Sequence, residues 1–556
     1  MAKRKLDLDS LITRTLSLKG IVILSLSAMV GSGLFVLPAL AGKELYYGSG
    51  GISGSYAGLW LAYLLSGLVV LPGAVSQAEF ASTMPTSGGT YIYIERTFGA
   101  ISGTIAGLGL WASFLLKSAF ALIGFSAYVV VIEHTVGIQF DDTSAKFMAL
   151  FLLVIITMIN IRGVGLLKKI QTPILMISVG SLILLCLYAF IGGAASKPMA
   201  PWDAAVELVQ TTDGWIGLGS AAAYVFVAYA GVIKIAAVAE DVIEPGRNLP
   251  LGMFWALGIA MILYSGMAYT MFAVLGGADV GIVEGGVADK APLYILTETI
   301  AGSTAAFIVA ILAIFTMSGG GLTGLLASSR FPFAMGRDKL LPPSFEDVHP
   351  MFETPHISIY ATAITMALSI LFLDVGTVAK LASGFMIMVF VAVNICVIVL
   401  RRVEGEHTWY KPEYRPKTGS WIQIWGIASG IALVALMGSE AFIGAGAAII
   451  GGLILYYSYG HNHTTTKETP WHSFTSRITG NETERKRAVT AFHAADIEGN
   501  NHLNLTEFIA AISSLGWLDN KEDIRDFFHN ADVNRDGVVD IDEFLELITS
   551  RGNEAE

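Results

Sequence analysis

The stretch IVILSLSAMVGSGLFVLPAL, residues 21–40, decides the fold. Ile21 to Val30 and Leu34 to Leu40 suit hydrocarbon, but Gly31-Ser32-Gly33 between them is poor helix material. The pattern is that of a membrane helix broken halfway. A break at that depth strands main-chain N–H and C=O groups that lipid cannot satisfy, so they must face a polar cavity or a ligand. Pro38 is compatible with a second half-helix beginning near Leu34, because proline is accommodated in the first turns of a helix. The free N–H groups and positive dipole end of that half-helix suit an anion such as a carboxylate.

The whole chain agrees with this reading. Of its 556 residues 54% are hydrophobic, 60 are glycine and only 14% are charged, which is too apolar for a water-soluble protein and indicates a polytopic membrane protein. Cys186 and Cys396 both fall in apolar segments, so no disulfide framework is implied. The basic start, Lys3-Arg4-Lys5, reads as a retained cytosolic tail. The net charge of −11 is uneven: residues 461–556 hold 18 acidic against 9 basic residues, leaving about −2 for the first 460. Two modules with different solvents are expected.

Apolar segments long enough to span occur near 19–42, 56–80, 98–133, 146–166, 170–193, 215–240, 251–276, 300–328, 357–374, 378–400, 420–438 and 440–459. With the N-terminus inside, the inner segments hold 18 Lys/Arg and the outer ones 5, an asymmetry that predicts about 12 transmembrane helices with both termini cytoplasmic in the cell membrane. The sixth span carries its own interruption, Phe226-Val-Ala228-Tyr229-Ala-Gly231, about as deep as the first. Broken helices opening each of two five-span units predict a 5+5 inverted repeat with substrate held between the breaks. The plain alternative is that the glycines only let helices pack closely.

Four blocks then resemble one family. GSGLF (31–35), AEFASTMPTSGGTYIYIERTFG (78–99), AEDVIEPGRNLP (239–250) and SSRFPFAMGRDKLLP (328–342) are similar to blocks of the amino acid–polyamine–organocation transporters, and the resemblance covers residues 15 to about 458. It implies a five-plus-five fold with two trailing helices, alternating access, and amino acids or related amines as substrates. Carried onto this chain, it places the substrate carboxylate on N–H groups at Gly31, Ser32, Gly33 and Leu34. The amine would meet carbonyls near Phe226, Ala228 and Tyr229, with Gly231 also among the substrate-binding residues and Tyr229 acting as a gate or as packing. Glu79, Glu240 and Asp241, at helix ends, read as solvated surface groups.

Lys117, midway along span three, and Lys234, just after the second break, are costly in a bilayer unless paired, neutralised or hydrated. Each could be a proton carrier, a fixed cation replacing sodium, a counter-ion for the substrate carboxylate, or a structural lysine bonded to carbonyls of the broken helices. Many proton-dependent members of the resembled family have a lysine in span five. Alignment on Lys169-Ile170-Gln171 places Ser178 there instead. Coupling therefore falls either to protons at Lys117 or to sodium, held by Ser178, Thr316, Ser318 and carbonyls near Val30, although such hydroxyls usually bond back to their own helix.

Beyond a polar linker (461–483), residues 484–550 read as a soluble α-helical EF-hand pair, followed by a short tail (551–556). DVNRDGVVDIDE (532–543) has the spacing of a calcium loop: Asp532, Asn534, Asp536, the Val538 carbonyl, Asp540 and a bidentate Glu543, with Gly537 at the turn. DIEGNNHLNLTE (496–507) offers Asp496, Glu498, Asn500, the His502 carbonyl, Asn504 and Glu507, with Asn501 where glycine is usual. Leu503 and Val539 are placed to join the loops by a short β contact. Phe492, Phe508, Ile512, Phe527, Phe528, Phe544 and Leu547 are expected to pack within the pair or to line a groove.

The expectation is an all-α secondary transporter rather than an enzyme: a membrane domain (19–460) after a short N-terminal tail (1–18), with a calcium-binding cytosolic tail. Its partners are a small amino acid or amine and the lipid bilayer, with no nucleic acid, and its coupling ion is sodium or the proton. A calcium-linked amino acid sensor and an exchanger are the alternatives.

Overall fold

A computed structural model describes residues 16–52, 54–84, 89–136, 142–163, 167–235, 239, 242–276, 291–403, 410–417, 419–464, 469–479, 482–496, 500–515, 521–534 and 536–554. The first span is split into α1 (Leu18–Met29), a single turn α2 (Ser32–Phe35) and α3 (Leu37–Gly48). Four further spans follow: α4 (Leu59–Thr83), then α6 (Ala100–Val136), α7 (Asp142–Arg162) and α8 (Leu167–Ile191), with the short α5 (Thr90–Phe98) between α4 and α6. After α9 (Ala200–Gln210), the sixth span runs as α10 (Thr212–Val225), a 3₁₀ stretch over Phe226–Ala230 and α11 (Gly231–Lys234). The next four are α12 (Pro245–Leu275), α13 (Pro292–Arg337, kinked at Gly302), α14 (His356–Phe372) and α15 (Val375–Arg402); α16 (Trp421–Leu436) and α17 (Ser439–Ser458) trail.

Eight of these helices are long and apolar enough to cross a membrane unaided, and α1, α14 and α16 are shorter apolar helices. With the broken sixth span they make the polytopic 5+5 inverted repeat read from the sequence. Helix starts are set locally: Ser17, Thr211 and Asp374 each accept from an N–H three residues on, at 3.4, 3.0 and 2.9 Å.

The tail adds α18 (Pro470–Thr479), α19 (Glu482–Ala495), β1 (His502–Leu503), α20 (Leu505–Leu515), α21 (Lys521–Ala531), β2 (Val539–Asp540) and α22 (Ile541–Glu554). Leu503 faces Val539 in the antiparallel β1–β2 pair, as expected. The tail has its own core, in which Phe492, Phe508, Ile512, Phe528 and Phe544 are buried and Phe527 and Leu547 pack at its edge. These side chains therefore fill the pair rather than line an open groove.

One expectation is overturned. Glu79 is fully buried, not solvated, because the stretch after α15 folds back over the end of α4. Arg401 grips both Glu79 oxygens, with Nε at 2.9 Å from Oε1 and Nη2 on Oε2, and the Tyr410 hydroxyl donates to Oε1 at 2.5 Å. Ser82 Oγ accepts from the Tyr414 N–H at 3.1 Å. A polar chain continues inward, from Gln423 to Ser76 (3.3 Å) and from Ser76 to Asn394 (2.8 Å), pinning α16 and α15 to α4. Glu240 and Asp241 lie outside the described residues. Removing one partner of a buried ion pair strands the other charge, so Glu79→Ala is expected to cost about 3–5 kcal/mol. A melting temperature in detergent equal to wild type would contradict this.

Candidate functional site

The two breaks meet. A Cβ added to Gly33 would lie 2.8 Å from the Ala228 Cβ, and one added to Gly231 would lie 2.8 Å from both the Met29 nitrogen and the Ser25 oxygen. Each broken helix thus presents a glycine to the other, and only a hydrogen in place of a side chain allows that approach. Gly31, extended at φ 170°, has nothing within 4 Å of its missing side chain. It opens space rather than permitting contact.

The sequence-predicted residues divide sharply in their bonding. Among the described residues, no acceptor meets the N–H groups of Gly31, Ser32 and Gly33; the ladder resumes with Leu34 and Phe35 donating to the Gly31 carbonyl at 2.9 and 3.1 Å. The carbonyls, by contrast, are engaged. Lys117, reaching from α6, donates to Ala28 O at 3.0 Å and to Ala228 O at 3.4 Å, so one ammonium ties the end of α1 to the 3₁₀ stretch. Phe226, Ala228 and Tyr229 are buried. The Tyr229 hydroxyl donates to the Tyr63 carbonyl at 2.9 Å.

Gly31, Ser32, Lys117, Ser118 and Thr323 line a cavity of about 20 Å³, room for roughly one water molecule. An amino acid fits only if the surrounding helices part. A second cavity, about 200 Å³ and largely apolar, shares Ser27 and Val30 with the first and is lined by Thr316 and Ser318. The coupling candidates are thus split across two neighbouring spaces. Ser178 Oγ pairs with Thr316 Oγ1 at 2.8 Å, while Thr316 and Ser318 donate back to Leu312 O and Ile314 O, both at 2.7 Å. Their lone pairs remain as hard oxygen donors. Lys234 ends α11, and its side chain lies outside the described residues.

Sequence reasoning missed four partners of the breaks. Tyr63 donates to Gly33 O at 3.0 Å, Tyr264 to Ala228 O at 3.4 Å and Tyr128 to Phe35 O at 2.8 Å. Ser383 accepts from the Val227 N–H at 3.1 Å and donates to Tyr224 O at 2.9 Å. The signal was present in kind: a tyrosine hydroxyl inside an apolar span must find an acceptor, and unwound carbonyls are the nearest supply.

In the tail, Gly537 takes the left-handed turn at φ 85°, and Asn501 does the same at φ 59° in the first loop. Asp532 accepts from the Asp536 and Gly537 N–H groups at 3.1 and 3.0 Å, and Glu543 from Asp540 at 3.0 Å. In the first loop Asp496 accepts from Asn500 and Asn501, at 3.2 and 2.8 Å, His502 N–H donates to Asn500, and Glu507 accepts from Asn504 at 3.0 Å; Glu498 lies outside the described residues. Among the described residues no three acidic, His or Cys groups close into a ligand shell. The donor chemistry nonetheless fits calcium, since the second loop supplies hard oxygens from Asp532, Asn534, Asp536, Val538, Asp540 and Glu543. Partial burial, together with the charges of Asp540 and Asp532, raises the Glu543 carboxyl above its ordinary range, a strain that a bound cation relieves.

Two unwound segments touching at mid-span, with main-chain donors that meet no acceptor among the described residues and a half-buried ammonium beside them, define a membrane transporter of the broken-helix class. The pattern described as amino acid permease matches residues 16–460, and the chain belongs to that family. An EF-hand domain pair matches 485–549. The chain is 26% identical over 466 residues to the methylthioribose transporter of Bacillus subtilis (strain 168), covering 82% of this chain and 95% of that one. It is 26% identical over 406 residues to the branched-chain amino acid permease BcaP of the same organism (71% and 82% covered). It is 24% identical over 422 residues to cationic amino acid transporter 7, chloroplastic, of Arabidopsis thaliana (71% and 67% covered).

The glycine geometry makes a discriminating prediction. Gly33→Ala forces a methyl into Ala228 and is expected to destabilise by about 1–3 kcal/mol and depress uptake, whereas Gly31→Ala is expected to fold as wild type. Equal melting temperatures for the two variants would remove the close crossing.

Proposed function

We propose that the protein is a secondary active transporter of amino acids or related amines, working by alternating access, with Lys117 as its coupling group and its calcium-binding tail as a regulator. The observation that carries this reading is the pair of hydrogen bonds that Lys117 Nζ donates to Ala28 O and Ala228 O, at the point where the two broken helices meet. The free N–H groups of residues 31–33 suit the substrate carboxylate, and the Ala228 carbonyl suits its ammonium. The arriving ammonium and Lys117 then compete for one acceptor. Release of the Lys117 proton, or withdrawal of its charge, ties substrate binding to cation movement across the membrane. The relatives' names point to branched-chain and cationic amino acids and methylthioribose as the first compounds to test.

The tail is joined to the membrane domain by a docked helix. Trp471 of α18 packs on Phe98 of α5, with ring centroids 5.2 Å apart, and Ser473 is fully buried. The α5 helix in turn seats Glu95 where Gly103 of α6 has no side chain, and α6 carries Lys117. With the N- and C-termini cytoplasmic, this series of packed helices supports calcium control of transport. Calcium supplies the charge that draws the loop carboxylates together, and the helices flanking those loops lead to α18.

Reconstituted proteoliposomes test both parts. Lys117→Ala is expected to abolish accumulation against a gradient while retaining the wild-type gel-filtration profile, and Glu543→Gln to abolish any difference in uptake between nanomolar and millimolar calcium on the tail side. Gradient-driven accumulation by the Lys117 variant would remove that residue from the mechanism. Uptake indifferent to calcium in the wild type would leave the tail without a regulatory role.

A further inference from the structure

We infer that Tyr63 and Tyr264 are positioning residues, one for each break, which hold the Gly33 and Ala228 carbonyls so that the main-chain donors and acceptors face the substrate. This rests on the transporter reading above.

Tyr63 lies on α4, the second span of the first unit, and Tyr264 on α12, the second span of the second unit. Each donates its hydroxyl to a carbonyl of the broken span that opens its own unit: Tyr63 to Gly33 O at 3.0 Å, Tyr264 to Ala228 O at 3.4 Å. The two clasps therefore serve one break each, from different heights along their spans: Tyr63 lies near the start of α4 and Tyr264 in the second half of α12. They also touch, with ring centroids 5.5 Å apart, and Tyr229 closes the group by packing on Tyr264 at 5.2 Å and donating to the Tyr63 carbonyl. All three side chains are fully buried.

The acceptors they hold are those the breaks set loose. Helical bonding stops at Val36, between α2 and α3, which frees the Gly33 carbonyl from its own helix. Tyr63 takes that carbonyl, and the peptide that bears it stays oriented while the N–H groups of residues 31–33 keep no partner. At the other break Ala228 O is shared between Tyr264 and Lys117. When an ammonium displaces Lys117 from this oxygen, Tyr264 is the donor that keeps it in place. Neither tyrosine lines the cavity bounded by Gly31, Ser32 and Lys117, so both act through the main chain rather than on substrate.

Tyr63→Phe and Tyr264→Phe keep the rings and remove only the hydroxyls. Amide hydrogen exchange of the full-length protein in nanodiscs, with no substrate added, reads the clasp directly. Tyr63→Phe is expected to speed exchange about three- to tenfold in residues 31–37 alone, and Tyr264→Phe by a similar or smaller factor in 226–232 alone, the loss of one hydrogen bond. Unchanged exchange at both breaks, or a uniform rise across the chain, would overturn the inference. A second arm uses uptake from an equimolar mixture of the twenty labelled protein amino acids. Both variants are expected to lose several-fold in rate at low concentration and less than twofold at saturation; equal losses at both would mark a merely structural role and overturn the inference. Absence of uptake by the wild type itself would instead count against the transporter reading, and the exchange result would still decide the clasp.

Discussion

Main-chain polar groups cannot be left bare in hydrocarbon, and the membrane domain is arranged around two places where the helix that would satisfy them stops. The structure answers with an asymmetry. Carbonyls at the breaks are taken up by side chains from neighbouring spans: Lys117 on Ala28 and Ala228, Tyr63 on Gly33, Tyr128 on Phe35, and Ser383 on Tyr224. Among the described residues the N–H groups of Gly31, Ser32 and Gly33 meet no acceptor, and they lie beside a small cavity. A site with unspent donors and acceptors that are held but exchangeable is suited to bind a zwitterion and release it, because the carboxylate meets donors with no competing protein partner while the ammonium exchanges for a bond already present at the carbonyl.

Much of this was legible in the chain, and the rest was hidden for identifiable reasons. The spans follow from runs of apolar residues, and the breaks from Gly31-Ser32-Gly33 and the Phe226–Gly231 stretch, since composition alone tells where a helix in lipid weakens. That Gly33 and not Gly31 makes the contact with Ala228 is a matter of crossing geometry, which no local pattern carries. Glu79 was misread because its partners, Arg401 and Tyr410, lie more than 300 residues away, and a position at a helix end ordinarily means solvent. The second calcium loop is readable because its ligands are contiguous. Asn501 in the left-handed region shows the first loop making the same turn with a less suitable residue.

The tail and the membrane domain keep separate cores, yet the connector between them is not merely a tether. Pro470–Thr479, in a stretch whose sequence reads as linker, forms a helix whose Trp471 seats on Phe98, and the loops it serves pair through β1 and β2. The closed aromatic core of the tail means that any change on calcium binding must be transmitted by helix displacement rather than by an exposed groove already present.

The claim at the centre is that bare main chain, at two touching breaks, is the binding surface. A density map of the protein in nanodiscs with its transported amino acid would test it most directly. The account predicts the carboxylate within hydrogen-bond reach of the residue 31–33 N–H groups, the ammonium at the Ala228 carbonyl, and Lys117 withdrawn from that oxygen. Residues 31–33 and 226–231 as continuous helix, or substrate bound elsewhere, would contradict it.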